Sequence, residues 1–205
     1  MPQGPAARIG DNVSPPHVPP VLTGGPPALK VMIGNMPAWK GIPLAAGPGL
    51  MATSTATETM LQALETAAKI AQAAAVAAAG TPGAPAAIAA ATAARVAAES
   101  AKAASAAANG AAISAAAAGG SIHVCTMPWP IPPHGPGVVI NGSPTVMIEN
   151  SPACRMGDTI IEAIGPPNSI MMGCMTVMIG DMGMGGAQGA ALSAAAANGS
   201  ALCET

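Results

Sequence analysis

The sequence predicts a mainly β protein of stacked short repeats, with an Ala-rich antiparallel α-helical hairpin inserted between two of them. Three observations carry this. One phrase recurs: Gly142-Ser143-Pro144-Thr145-Val146-Met147-Ile148 returns as Gly173-Cys174-Met175-Thr176-Val177-Met178-Ile179, and Val31-Met32-Ile33 repeats its end far upstream. Gly and Pro crowd the joints of the segments outside residues 53–118, which disfavours helix there. Residues 53–118, by contrast, are mostly alanine, the strongest helix former. A repeat this short cannot bury its own apolar side, so the copies must stack on one another.

Taken in order, residues 1–52 form the first part of the β domain. They hold Pro5-Ala6-Ala7-Arg8, a Pro-rich joint with His17, and a strand over Leu29 to Ile33. Arg8 and Asp11 read either as a turn-fixing pair or simply as solvated turn residues. Residues 53–118 are the hairpin: one helix over Thr53 to Ala79, a Gly/Pro break at 80–85 that suits a helix start, and a second helix over Ala86 to Ala108. Asn109-Gly110 reads as its stop. Folding the helices together sets Lys69 opposite Glu99 and Glu65 opposite Lys102. The charges on each helix and the weak insertion tendency of alanine argue against a membrane-spanning pair.

Residues 119–182 resume the β domain. Val138 to Ile140, the turn signal Asn141-Gly142 and the strand Thr145 to Ile148 read as a β-hairpin, which Glu149-Asn150-Ser151-Pro152 then breaks. Residues 183–205 read as a low-complexity Gly/Ala tail, with room for a short helix around Ala190 to Ala197.

The repeat phrase continues into Pro152-Ala153-Cys154-Arg155-Met156-Gly157-Asp158, a variant of Pro5-Ala6-Ala7-Arg8-Ile9-Gly10-Asp11, and Pro37-Ala38-Trp39-Lys40-Gly41 is a third relative. Copies of Pro-Ala-Ala-Arg followed by Gly-Asp resemble the PAAR family over about residues 1–44 and 121–181. Members of that family form the sharpened tip on the central spike of type VI secretion systems and related contractile injection machines. The resemblance implies a conical tip docked on a trimeric spike of the valine-glycine-repeat type, one tip per trimer. It also implies export by the machine from the cytoplasm, transient contact with a target membrane, and no enzymatic activity. The alternative is a secreted effector or adaptor whose hairpin, 53–118, binds a chaperone, cargo or membrane.

The bulk numbers narrow the classes. With only 8% charged residues and a net charge of −2, the chain has no basic patch to track a phosphate backbone. Trp39 and Trp129 are its only aromatic side chains, so bases have almost nothing to stack on, and nucleic acid is not an expected partner. No basic segment precedes an apolar run at the N-terminus, so no secretory signal is expected.

The three histidines avoid the hairpin. His123 and Cys125 form a His-x-Cys pair, His134 follows in Pro132-Pro133-His134-Gly135, and His17 sits in Pro15-Pro16-His17. Three imidazoles and a thiolate make a closed tetrahedral set for structural zinc. PAAR tips are similar in holding a zinc with three His and one Cys. In some, an N-terminal Ala-Ala-Arg, Asp, His segment completes the site; Ala6-Ala7-Arg8, Asp11 and His17 follow that order with a longer final spacing. Cys174 is the runner-up thiolate, but it takes the place of Ser143 in the repeat, a packing position; Cys154 reads as packing too, and Cys203 as inert. The blander reading of His123, His134 and Cys125 is turn-capping and apolar packing. No nucleophile-and-base arrangement stands out, and four protein ligands leave a zinc no open position. Asp158, Glu162 and Asp181 read as solvated turn residues, and Gly183 to Gly186 lacks the Lys of a phosphate loop.

Overall fold

The computed structural model describes residues 3–14, 21, 22, 25, 28, 30–125 and 134–180. Its elements are β1 (Gly4–Ala6), β2 (Met32–Ile33), β3 (Met36–Pro37), α1 (Gly47–Ala77), α2 (Ala84–Ala117), β4 (His123–Cys125) and β5 (Gly135–Val139). They continue with β6 (Met147–Ile148), β7 (Ser151–Pro152), β8 (Thr159–Glu162), β9 (Asn168–Ser169) and β10 (Cys174–Ile179). Every sheet is antiparallel, and the strands are short. The helices, of 31 and 34 residues, are longer than the sequence predicts, so the architecture is mixed helix and antiparallel sheet rather than mainly β.

The repeats meet around a pseudo-threefold axis. The Ala7 N–H donates to the Cys154 carbonyl (2.9 Å), the Cys154 N–H to the Trp39 carbonyl (3.2 Å), and the Trp39 N–H to the Ala7 carbonyl (2.9 Å), which closes a ring. A second ring runs alongside it: Ile9 N–H to Pro37, Gly41 N–H to Pro152 and Met156 N–H to Pro5, at 3.0, 2.7 and 2.8 Å. These satisfy buried backbone groups that such short strands cannot pair within one ladder. The bridges Ala6–Arg155, Arg8–Ala38 and Lys40–Ala153 follow the same rotation.

Each third carries a two-stranded arm. Met32 pairs with Pro37 in β2–β3, Met147 with Pro152 in β6–β7, and Met178 with Pro5 in β10–β1. The third arm is thus assembled from the two ends of the chain. The arms bury Ile33, Ile148 and Ile179 with Ala6, Ala38 and Ala153 in one apolar layer. Ala7, Trp39 and Cys154 fill the next, with Val13, Leu22, Val139, Ile160 and Ile170. Complete burial pushes the Cys154 thiol well above its ordinary pKa.

The sequence places the hairpin turn of 138–152 wrongly. Asn141 does not turn the chain into a hairpin; its side-chain oxygen accepts the Thr159 N–H at 2.6 Å, tying β5 to β8. The turn is Glu149-Asn150, with φ of 49° and 65°, and its counterpart is Gly34-Asn35, at 54° and 63°. Two successive positive φ angles fit the twist of a two-residue hairpin loop. Ser151-Pro152, read as a ladder breaker, is the returning strand.

The Arg8–Asp11 turn pair forms, at 2.8 Å, with the Arg8 N–H also donating to Asp11 at 2.7 Å. Arg155 and Asp158 repeat it, at 3.3 and 2.9 Å, but buried. Asp158 is therefore not the solvated turn residue that the sequence suggests.

α2 runs through Asn109-Gly110 and ends at Ala118 and Gly119, both with positive φ. The expected stop is instead a docking point. The Asn109 amide donates to the Ala163 carbonyl at 2.9 Å, and a Cβ on Gly110 would meet Pro136 at 3.4 Å. Ile113 and Ala117 then pack on Ile42, Val138 and Ile161 in a third apolar layer. The base of the hairpin belongs to the core, whereas Ile70, Val76, Ile88 and Val96 in its distal half are exposed. Lys102 pairs with Glu65, holding the Glu65 carboxyl below its ordinary pKa; Lys69 and Glu99 form no ion pair. Among the described residues, no helix is long and apolar enough to cross a membrane.

Candidate metal centre

The site lies in the four-stranded sheet β4-β5-β8-β9. Strand register assembles it. His123 of β4 and Glu162 of β8 both face Gly137 of β5, one from each side. Cys125, two residues on from His123, faces Gly135 and shares the His123 face, because side chains alternate along a strand. Gly137 leaves the room: a Cβ there would come within 2.9 Å of the Glu162 side chain. His134 enters just before β5, its ring against Gly165, whose φ of 105° suits glycine.

Of the sequence-predicted donors, Cys125 and His134 are brought together and buried, while His123, also buried, reaches the group through Glu162. The fourth, His17, lies outside the described residues, as do Asp181, Cys203 and the tail 181–205. Glu162, read from sequence as a solvated turn residue, is instead in mid-sheet with a fully buried side chain. One of its carboxylate oxygens is 2.7 Å from His134 Nδ1 and the other 3.6 Å from His123 Nε2. The Asn168 amide donates to the same oxygen as His134, at 3.3 Å, and so orients the carboxylate.

Donor atoms of Cys125, His134 and Glu162 all lie within 4.8 Å of one another, a buried group that can hold a metal ion. Burial of a carboxylate among imidazoles and a thiol needs compensation of its charge, by protons or by a cation. A divalent ion would cancel the two negative charges of a Cys125 thiolate and a Glu162 carboxylate, leaving both imidazoles neutral.

Cys174 is not part of this group. It packs in the first apolar layer, its Sγ 3.2 Å from the Thr176 hydroxyl, a bond that lowers its pKa. Its place matches that of Ser143, which makes the same contact to Thr145. The signal for Glu162 was present in the sequence: Thr159-Ile160-Ile161-Glu162-Ala163-Ile164 is an apolar strand, and an acid inside one must be paired. No family model, no curated protein and no solved structure matches this chain.

Proposed function

We propose that the chain is a PAAR-like tip, a conical cap that sharpens the trimeric spike of a type VI secretion or related contractile injection machine. The observation that carries this reading is the pseudo-threefold ring through Ala7, Trp39 and Cys154. A single chain built in thirds can present matching contacts to three identical subunits, so one tip suffices per trimer. The arms present them: Met32, Met147 and Met178 occupy equivalent register positions and are 55%, 54% and 54% exposed. Three equally exposed methionines around an axis are a repeated apolar contact, and Met adapts well to a partner surface.

In this reading the buried centre is a structural zinc site, with His123, Cys125, His134 and Glu162 as donors. Imidazole and thiolate favour zinc over the oxygen-seeking calcium and magnesium, and a closed set leaves no open position for catalysis. Bound zinc would staple β4, β5 and β8 together, so that a small core survives axial force. The role is mechanical and not enzymatic, with export from the cytoplasm by the machine itself. The exposed Ile70, Val76, Ile88 and Val96 favour a second role for the hairpin, as an adaptor surface for cargo or a chaperone.

The test is capture of the trimeric valine-glycine-repeat spike by purified chain. Wild type retains the spike, and Met32→Asp, Met147→Asp and Met178→Asp together abolish capture without loss of folding. Burial of each Met contributes roughly 1.5–3 kcal/mol. Capture that survives the triple change contradicts this docking face.

A further inference from the structure

We propose that the cleft between the hairpin and the loop following β8 is the port through which the metal reaches its buried donors, with Glu58 receiving the ion on the way. The proposal rests on the metal-centre reading. His123, Cys125 and Glu162 are each 1% exposed, so an ion needs a path to them. A cleft of about 410 Å³ supplies one: it opens between Glu58, Leu61 and Gln62 of α1, Lys102 of α2, and His134 and Asn168. Its lining thus includes one donor of the centre and the residue that orients another.

The cleft carries a net negative charge suited to a cation. Lys102 is neutralised by Glu65, which also lines the cleft, and this leaves the Glu58 carboxylate. Its Oε1 is buried and meets no hydrogen-bond donor in the described chain. Desolvation raises the Glu58 carboxyl above its ordinary pKa, the mark of an acceptor that lacks a partner. A cation in transit provides that partner, and a carboxylate lining the cleft concentrates cations there. The sequence gives Glu58 no such role, because on a helix of alanine it reads as one more solvated charge.

The experiment is exchange of isotopically labelled zinc into the folded, zinc-loaded protein. Glu58→Gln should slow exchange about tenfold while leaving zinc affinity unchanged, since a transit residue alters both directions alike. Gln62→Trp, at an exposed position, should slow it by obstructing the mouth. A merely structural role predicts the opposite sign, because loosened packing speeds exchange. Either variant exchanging at the wild-type rate or faster overturns the port. A wild-type chain that holds no zinc refutes the metal-centre reading itself, and the port with it.

Discussion

A carboxylate oxygen of Glu162 lies 2.7 Å from Nδ1 of His134, although 28 residues separate the two in sequence. Removing either group takes from the other its shortest polar contact inside a buried cluster, and breaking a buried pair of this kind costs about 3–5 kcal/mol. His134→Ala should therefore lower the melting temperature sharply and abolish metal retention, and Cys125→Ser should do the same. Glu162→Gln, nearly isosteric, should keep the fold but weaken zinc binding by about tenfold or more. Metal analysis and thermal unfolding of the three variants check this; unchanged zinc content in Glu162→Gln removes Glu162 from the donor set.

The two Arg/Asp copies share a turn but differ in burial and in how the guanidinium meets the carboxylate, so their mutants provide an internal comparison. The Arg8 side chain is 20% exposed, that of Arg155 only 6%. Asp11→Ala should cost about 1 kcal/mol, in the range of surface pairs and turn caps. Asp158→Ala leaves a buried guanidinium behind and should cost about 3–5 kcal/mol. Denaturant unfolding of the two variants compares them directly; equal losses would mean that burial does not set the energy of this turn.

The hairpin is divided by its packing. Replacing residues 66–101 with a short Gly/Ser linker removes the exposed distal half and should leave metal content and melting temperature nearly unchanged. Ile113→Ala, at the base, should cost about 2–5 kcal/mol, because the side chain is buried against Val138 and Ile161. Thermal unfolding decides between this and a hairpin that is wholly separable. In that case Ile113→Ala would be silent.

The repeats, the helical hairpin and three of the candidate donors were legible in the sequence because each leaves a local signature. Val-Met-Ile phrases mark arms, alanine marks helix, and His-x-Cys marks one face of a strand. What escaped was settled by distant partners. Glu149-Asn150 takes the turn from Asn141-Gly142 because Asn141 is engaged by Thr159 of β8. Asn109-Gly110 fails to stop α2 because Ala163 and Pro136 provide it a docking surface. Glu162 looks solvated until strand register sets it across Gly137 from His123. The third arm joins Pro5 to Met178, and no window of sequence contains both.

The most direct measurement is the mass, under native conditions, of the chain assembled with a trimeric valine-glycine-repeat spike, the partner proposed for it. The pseudo-threefold ring and the proposed zinc centre together predict a complex of one chain, one zinc ion and one trimer. Loss of the zinc under denaturing conditions would accompany the release of the chain. A complex containing three chains per trimer would contradict the account, since each chain would then contribute one contact and the internal threefold would have no partner to match.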